Sequence, residues 1–250
     1  MRWGNGIVVA GLRHDRAVAK GQGAPDATTS ATTRRLGAMY TTPWDWNPYV
    51  SYAESFTPQA PRASHSFKPL RGQLWELGVK YEPTGQALAF NAALYSLREN
   101  NRIQSPQPDS YNQLGKTRTR GLELEARGAL DRQWDVLAHY NYTAVDEQLN
   151  GIPRHQASAW GVYRFSPSRA MGWSVGAGVR WMSSHRDRTG PRVPAAGLLD
   201  LMLAYDTDHW RMALNVGNAA DKAYLSACPS RGDCWWGARR TVALNATYRF

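Results

Sequence analysis

The residue types that a hydrolase needs occur together at one place in this chain. Ser184, His185 and Asp187 stand almost side by side, and serine, histidine and aspartate make up a hydrolytic triad. Adjacent positions in a loop do not fix the geometry in which histidine takes the serine proton, so we expect no catalytic triad here. Glu123 and Glu125 could pair as acid and base, but polar wall residues of a sheet explain them better.

Metal-binding and redox chemistry are equally poorly supported. The 6 histidines are dispersed, without the spacing of metal ligands. The only cysteines, Cys228 and Cys234, stand six positions apart in the polar segment 217–237. This spacing favours a local disulfide in an oxidising compartment, with two free thiols or two incomplete metal ligands as the alternatives. We therefore expect no catalytic residue, no metal site and no resident cofactor.

The elements that position these residues are strands with one apolar face. The last segment, 241–250, places Val242, Leu244, Ala246, Tyr248 and Phe250 on one face and polar or small residues on the other. A period of two indicates a β-strand, and about ten residues is the length of a tilted strand that crosses a bilayer.

The same alternation recurs along the chain and predicts about twelve strands, at 4–15, 35–42, 49–56, 73–82, 86–98, 119–130, 134–145, 155–165, 172–182, 199–205, 210–216 and 241–250. The connections are alternately long (16–33, 57–72, 99–114, 146–153, 183–196, 217–237) and short (43–48, 83–85, 131–133, 166–170, 206–209). Bacterial membrane barrels have long extracellular loops and short periplasmic turns. The sequence therefore predicts an all-β, antiparallel transmembrane β-barrel portion.

Charged and other polar side chains gather on the strand faces opposite the apolar ones. They are Glu123, Glu125, Arg127, Asp135, Asn141, Arg180, Asp200, Arg211, Asn245 and Arg249. Turning the basic ones toward lipid would cost about 2–4 kcal/mol each near the bilayer midplane. We therefore expect a polar interior and an apolar face against lipid.

Composition narrows the partners. The net charge of +10 suggests nucleic-acid binding as one hypothesis. The basic residues are scattered singly, however, and no nucleic-acid fold signature is present, so we expect no nucleic-acid partner. With 11 Trp and 12 Tyr against 5 Phe, the aromatic residues favour a membrane interface. Two function classes are compatible with these features: a passive porin-like channel, and a soluble all-β binding protein.

The carboxyl-terminal end carries a more specific pattern. Its pieces are Asn215-x-x-Asn218, Asp221-Lys222-x-Tyr224, the two cysteines, Trp235-Trp236-Gly237 and the terminal Tyr248-Arg249-Phe250, preceded far upstream by Gly121-Leu122-Glu123-Leu124-Glu125. In this order they resemble the carboxyl end of TonB-dependent outer-membrane receptors for ferric siderophores.

The resemblance implies transport and no enzymatic activity. Such receptors bind a ferric siderophore in an outward-facing pocket, hold a plug domain inside the barrel, and couple to the TonB–ExbB–ExbD complex through a segment near the amino terminus. The implied surroundings are outer-membrane lipid and lipopolysaccharide, and the implied contact with the barrel assembly machinery is the terminal Phe250.

The same resemblance makes 217–237 the last extracellular loop, pinned by a Cys228–Cys234 disulfide. It implies that Trp235, Trp236 and Tyr224 contact the ligand, since flat aromatic faces suit a siderophore. An aromatic belt at the outer interface is the alternative for the two tryptophans. Residues 1–6 lack the pattern of a signal peptide, so we expect 1–250 to be the carboxyl-terminal portion of a receptor barrel, without plug domain and first barrel strands.

Overall fold

The computed structural model of this chain consists of strands and their connections. It describes residues 1–21, 24–61, 65–107, 110–146, 151–166, 171–230 and 232–250. Across these ranges the regular elements are β-strands, and the predicted all-β class is confirmed. The described part of the chain contains no helix with the length and apolar character of a membrane span.

The strands follow one another with few other elements between them. They are β1 Arg2–Trp3, β2 Gly6–Gly21, β3 Ala24–Tyr40, β4 Trp46–Thr57, β5 Leu70–Tyr81, β6 Leu88–Gln107, β7 Ser110–Ala129, β8 Trp134–Val145, β9 His155–Arg164, β10 Gly172–Met182, β11 His185–Arg186, β12 Arg192–Val193, β13 Ala196–Asp206, β14 Trp210–Gly217, β15 Leu225–Ala227, β16 Trp235–Trp236 and β17 Thr241–Tyr248. Among the described residues, twelve of these strands have eight or more residues, which confirms the predicted number.

Thirteen strands within the described ranges form one sheet in the order β1-β2-β3-β4-β5-β6-β7-β8-β9-β10-β13-β14-β17. The pairs with a resolved register are antiparallel. Two small ribbons, β11–β12 and β15–β16, stand apart from the sheet order. In the part of the chain that is described, β17 pairs with β14 and with no second strand.

The chain divides into two compact units. The first comprises Met1–Lys80, Ala93–Leu122 and Ala144–Asn150, and the second comprises Tyr81–Ala92, Glu123–Thr143 and Gly151–Phe250. In the first unit β2 pairs with β3, and β3 with β4. In the second unit β8, β9, β10, β13, β14 and β17 pair in succession.

Strand β13 exposes its apolar face to solvent and buries the opposite face, which is the reverse of a sheet in a water-soluble protein. Leu199, Leu201 and Leu203 are 39%, 40% and 42% exposed, whereas Ala204 and Asp206 on the alternate face are 1% and 6% exposed. A sheet in water buries leucine and exposes aspartate. Among the described residues no second layer of protein covers these leucines, so the exposed apolar face predicted from the alternation is confirmed. Such a face needs an apolar partner.

The opposite face of the second unit carries ion pairs between neighbouring strands. Arg180 of β10 donates to Asp200 of β13 at 2.9 Å. Asp206 accepts from Arg211 of β14 at 3.0 Å and from Arg249 at 3.3 Å. These carboxylates and guanidinium groups neutralise one another across the strands, as expected of the polar wall of a barrel.

Two of the predicted loops are wrong, because the structure forms strands over most of their residues. Much of the segment 16–33 belongs to the β2–β3 hairpin, and most of 99–114 belongs to β6 and β7. Both segments lack an apolar alternation. A hairpin with water on both faces keeps its cross-strand backbone hydrogen bonds but needs no hydrophobic period, so the sequence pattern fades while the strands continue.

The remaining connections lie where the pattern places them. The connection between β4 and β5 is long, as are 183–196, which contains β11 and β12, and 217–237, which contains β15 and β16. The predicted turn 166–170 lies outside the described residues except for Ser166, and the predicted loop 146–153 lies outside them at 147–150.

Candidate functional site

The last long connection, between β14 and β17, is held at its base by one buried side chain. Asn218 is 2% exposed. Its Nδ2 donates to the carbonyl oxygens of Lys222 at 2.8 Å and Ala238 at 3.2 Å, while its Oδ1 accepts from the Lys222 amide at 2.9 Å. The Asn218 φ of 49° lies in the left-handed region, which asparagine tolerates better than most residues. This side chain therefore closes a turn and ties it to the chain that enters β17.

Asp221 makes the second tie. Its carboxylate accepts from Arg239 Nε at 2.9 Å and Nη2 at 2.7 Å, and from the Arg240 amide at 2.9 Å. A bidentate guanidinium–carboxylate pair of this kind fixes orientation as well as distance. The hydrogen bonds from Arg239 and then from the Arg240 amide lower the pKa of Asp221 to about 2. We call Asn218, Asp221, Arg239 and Arg240 the loop clamp.

The loop clamp is anchored to the sheet through β13. The Asn218 amide donates to Asp200 Oδ1 at 2.8 Å, and Asp200 also holds Arg180 of β10. The Ala219 amide donates to the Leu199 carbonyl at 2.7 Å. The base of the loop is thereby fixed relative to two strands of the wall. The sequence offered the Asn218 and Asp221 types as a signal, but their partners Arg239 and Asp200 were not identified from it.

Tyr224 lies inside the loop, where its ring covers Gly237. A Cβ added at Gly237 would lie 2.0 Å from Tyr224 Cζ, so the close approach requires glycine. The Gly237 amide donates to the Tyr224 carbonyl at 2.8 Å. Tyr224 lines a cavity of about 260 Å³ together with His139, Gln156, Ser158 and Arg180 among others. Its phenol therefore faces a partly polar hollow.

Trp235 and Trp236 form β16 and stand further out. They pair with Ala227 and Leu225 of β15, and they are 60% and 70% exposed. Within the described residues, the lining of the Tyr224 cavity includes neither tryptophan. The structure thus places the three expected aromatic residues in one loop, but puts Tyr224 in a hollow and the two tryptophans on an exposed ribbon.

The disulfide links the two strands of this ribbon at one end, since Cys228 directly follows β15 and Cys234 directly precedes β16. Cys228 and Cys234 are bonded, with their Cα atoms 4.2 Å apart, and Cys228 is buried. The neighbouring connection 183–196 packs against the same region, since the Ser230 amide donates to Asp187 Oδ2 at 2.8 Å and a Cβ at Gly190 would lie 2.9 Å from the Pro229 carbonyl oxygen. Two connections therefore support one another.

The side chains considered for hydrolysis are turned to separate partners. Ser184 Oγ accepts from Arg192 at 2.7 Å, His185 Nδ1 lies 3.4 Å from the Ser183 carbonyl, and Asp187 accepts from the Ser230 amide. Glu125 lies 3.5 Å from Arg127. Within the described ranges, no three His, Cys, Asp or Glu side chains converge as metal ligands do.

A family model and several known proteins match this chain. The model described as "TonB dependent receptor-like, beta-barrel" matches residues 1–219. The ferrichrome outer membrane transporter/phage receptor of Escherichia coli (strain K12) is 31% identical over all of this chain and 37% of its own length. The ferrioxamine B receptor of Salmonella typhimurium (strain SL1344) is 30% identical over all of this chain and 39% of its own length.

Solved structures show the same fold. The ferric-catecholate import receptor Fiu of E. coli K12 superposes with a TM-score of 0.75 at 22% identity, covering 99% of this chain and 43% of that one. The siderophore receptor PiuA of Acinetobacter baumannii gives a TM-score of 0.77 at 20% identity, covering 98% and 40%. This chain therefore spans about two fifths of the length of the proteins it matches.

Proposed function

This chain belongs to the TonB-dependent receptor β-barrel family, and we propose that it forms the carboxyl-terminal part of the barrel of an outer-membrane receptor for ferric siderophores. The observation that carries this proposal is the reversed shielding of the strands, in which Leu199, Leu201 and Leu203 are exposed and Asp206 is buried. Lipid satisfies the first face and a polar interior the second. The named ligands of the relatives, ferrichrome and ferrioxamine, supply the substrate class.

The ferric siderophore is cargo in this proposal, and the protein needs no resident cofactor and no enzymatic activity. The long connections, including 217–237, face the outside, and the short turns face the periplasm. Energy for uptake comes from the TonB–ExbB–ExbD complex. The fully exposed Phe250, which packs edge-on against Tyr248 with ring centroids 5.1 Å apart, is the contact for the barrel assembly machinery.

We assign ligand contact to the aromatic residues of the last loop. Trp235 and Trp236 present exposed rings on a ribbon that the disulfide and the loop clamp hold in place. Tyr224 offers a phenol beside the Arg180–Asp200 pair in the adjoining cavity. Rigid aromatic faces gain contact area with little loss of side-chain entropy, which suits a bulky, partly apolar chelate.

The test replaces each tryptophan by alanine in the complete receptor that carries this chain. Loss of one stacking face costs about 0.5–1.5 kcal/mol beyond the lost contact area, so Trp235→Ala or Trp236→Ala should weaken ferric-siderophore binding by at least roughly twofold to tenfold. Ferrichrome and ferrioxamine B serve as probes, and quenching of intrinsic fluorescence gives the affinity. The matched control is Trp44→Ala, since Trp44 is also exposed but lies in a short turn. Unchanged affinity in both loop variants would remove the assignment.

A further inference from the structure

The connection 183–196 is tied to the chain on both sides of it in the second unit. On one side, the amide of Gly151, ahead of β9, donates to the Arg186 carbonyl oxygen at 3.0 Å. On the other side, the Ser230 amide donates to Asp187 Oδ2 at 2.8 Å. Both partners lie far away in the chain, so these hydrogen bonds fix the position of the connection and not only its local shape. We call β15, β16 and the disulfide-closed ring between them the aromatic ribbon.

Asp187 begins a tight turn and directs its carboxylate away from that turn. The Gly190 amide donates to the Asp187 carbonyl oxygen at 2.8 Å, and Arg188 between them has a φ of 47°. Aspartate in a turn commonly bonds backbone groups of its own turn. Here Oδ2 accepts from Ser230, which lies 43 positions along the chain. The carboxylate of Asp187 therefore joins two connections.

Gly190 lets the backbones of the two connections touch. It is buried, and a Cβ added there would lie 2.9 Å from the Pro229 carbonyl oxygen and 3.1 Å from that of Cys228. A residue without a side chain is needed where backbones approach so closely. Val193 of β12 is 0% exposed, and β12 contacts β15. The turn at Asp187 is thereby seated against the disulfide end of the aromatic ribbon.

The aromatic ribbon has little stability of its own. β15 has three residues and β16 has two, and an isolated two-stranded hairpin is marginally stable at best in water. Trp235 and Trp236 are 60% and 70% exposed, so they bury little area that could anchor the ribbon. The loop clamp fixes the base of the loop, whereas Ser230 lies in the disulfide ring at the opposite end. Asp187 thus supports the end that the loop clamp does not hold.

We propose that Asp187 is a positioning residue for ligand binding, which holds Trp235 and Trp236 in the orientation that receives the ferric siderophore. The ligand contact of the two tryptophans comes from the proposed function, on which this inference rests. A ribbon that is oriented in advance loses less conformational entropy when the chelate binds. Without the Asp187 tie, a smaller fraction of receptors has the ribbon in place, and the apparent affinity falls by that fraction. Asp187 acts through the ribbon and does not touch the ligand.

The test compares Asp187→Ala with Asp187→Asn and Asp208→Ala in the complete receptor that carries this chain. Loss of a hydrogen bond to a half-buried carboxylate should speed amide hydrogen exchange at Ser230 and across β15 about tenfold. Affinity for ferrichrome and ferrioxamine B, measured by isothermal titration calorimetry, should fall by up to about tenfold, and by no more than exchange rises. Asparagine keeps an oxygen acceptor for the Ser230 amide, so Asp187→Asn should restore most of the protection and affinity. Asp208 is an exposed aspartate in a short turn, and Asp208→Ala should match the unmodified receptor.

A double-mutant cycle separates positioning from direct contact. Asp187→Ala should cost little further affinity in the Trp235→Ala/Trp236→Ala background, because no aromatic face is left to orient. Gly190→Ala keeps the carboxylate but forces the two connections apart, so it should reproduce the effects of Asp187→Ala. Equal affinity losses in both backgrounds, or unchanged exchange or affinity in Asp187→Ala, would each overturn the proposal. A receptor that binds neither chelate would refute the proposed function, whereas faster exchange in Asp187→Ala would still establish that the carboxylate holds the ribbon.

Discussion

Replacing Asn218 by alanine should open the last loop while leaving the sheet intact. The change removes three side-chain hydrogen bonds of 2.8, 2.9 and 3.2 Å at a residue that is 2% exposed. It leaves the Lys222 amide and the Lys222 and Ala238 carbonyl oxygens without this partner. Lys222 and Ala238 are exposed residues, so water can replace the lost partner and each of the three hydrogen bonds is worth about 0.5–1.5 kcal/mol. A left-handed alanine adds roughly 1 kcal/mol, and a local loss of about 3 kcal/mol follows.

Amide hydrogen exchange at Lys222 measures this loss directly. A loss of about 3 kcal/mol corresponds to roughly 100-fold faster exchange through local opening, whereas amides in β13 and β14 should exchange as before. Asn245→Ala is the matched control, because Asn245 is an exposed asparagine on neighbouring β17. Asn218→Asp keeps an acceptor for the Lys222 amide but loses the donors, so it should fall between the two. Unchanged exchange in Asn218→Ala would show that the side chain does not hold the loop.

Two further predictions concern Asp221 and Gly178. The pKa of Asp221 is lowered to about 2, so the ionised carboxylate stabilises the loop 217–237 fully above the usual pKa near 4, and this stabilisation is lost as pH falls toward 2. Proteolysis of 217–237 by pepsin should therefore rise as the pH is lowered from about 4 to 2. The Asp221→Asn variant should be cut readily across the whole of this pH range. A Cβ at Gly178 would lie 2.0 Å from Trp160 Cε3, so Gly178→Ala should destabilise the sheet by about 1–3 kcal/mol in urea unfolding, whereas Gly115→Ala, with open space around it, should not; equal midpoints would contradict the packing.

The strands of this chain could be predicted wherever one face is apolar. The alternation of Leu199, Leu201 and Leu203 placed β13 to within three residues of its observed start, and that of β17 likewise. The parts of β2, β3, β6 and β7 that adjoin the β2–β3 and β6–β7 connections could not be predicted, because apolar and polar residues do not alternate there. What holds those segments is backbone pairing between neighbours, which a single sequence does not display.

The candidate site shows the same division between local and long-range information. The aromatic types of Trp235, Trp236 and Tyr224 are visible in the sequence, but their different surroundings depend on partners far along the chain. Tyr224 faces Arg180, which lies 44 positions away by number, and Asp221 is held by Arg239. Cross-strand register sets these meetings, and register depends on every preceding connection.

The motif that carries the family resemblance is therefore explained by architecture before ligand chemistry. The polar atoms of Asn218 and Asp221 already form hydrogen bonds with Lys222, Ala238, Arg239 and Arg240. Few of their donors and acceptors are therefore left to bind a siderophore. Their effect on binding must pass through the position of the ribbon that carries the two tryptophans. Asn218→Ala should accordingly weaken siderophore binding only as far as it loosens the loop, so a loss of affinity with full hydrogen-exchange protection would assign Asn218 to the ligand instead.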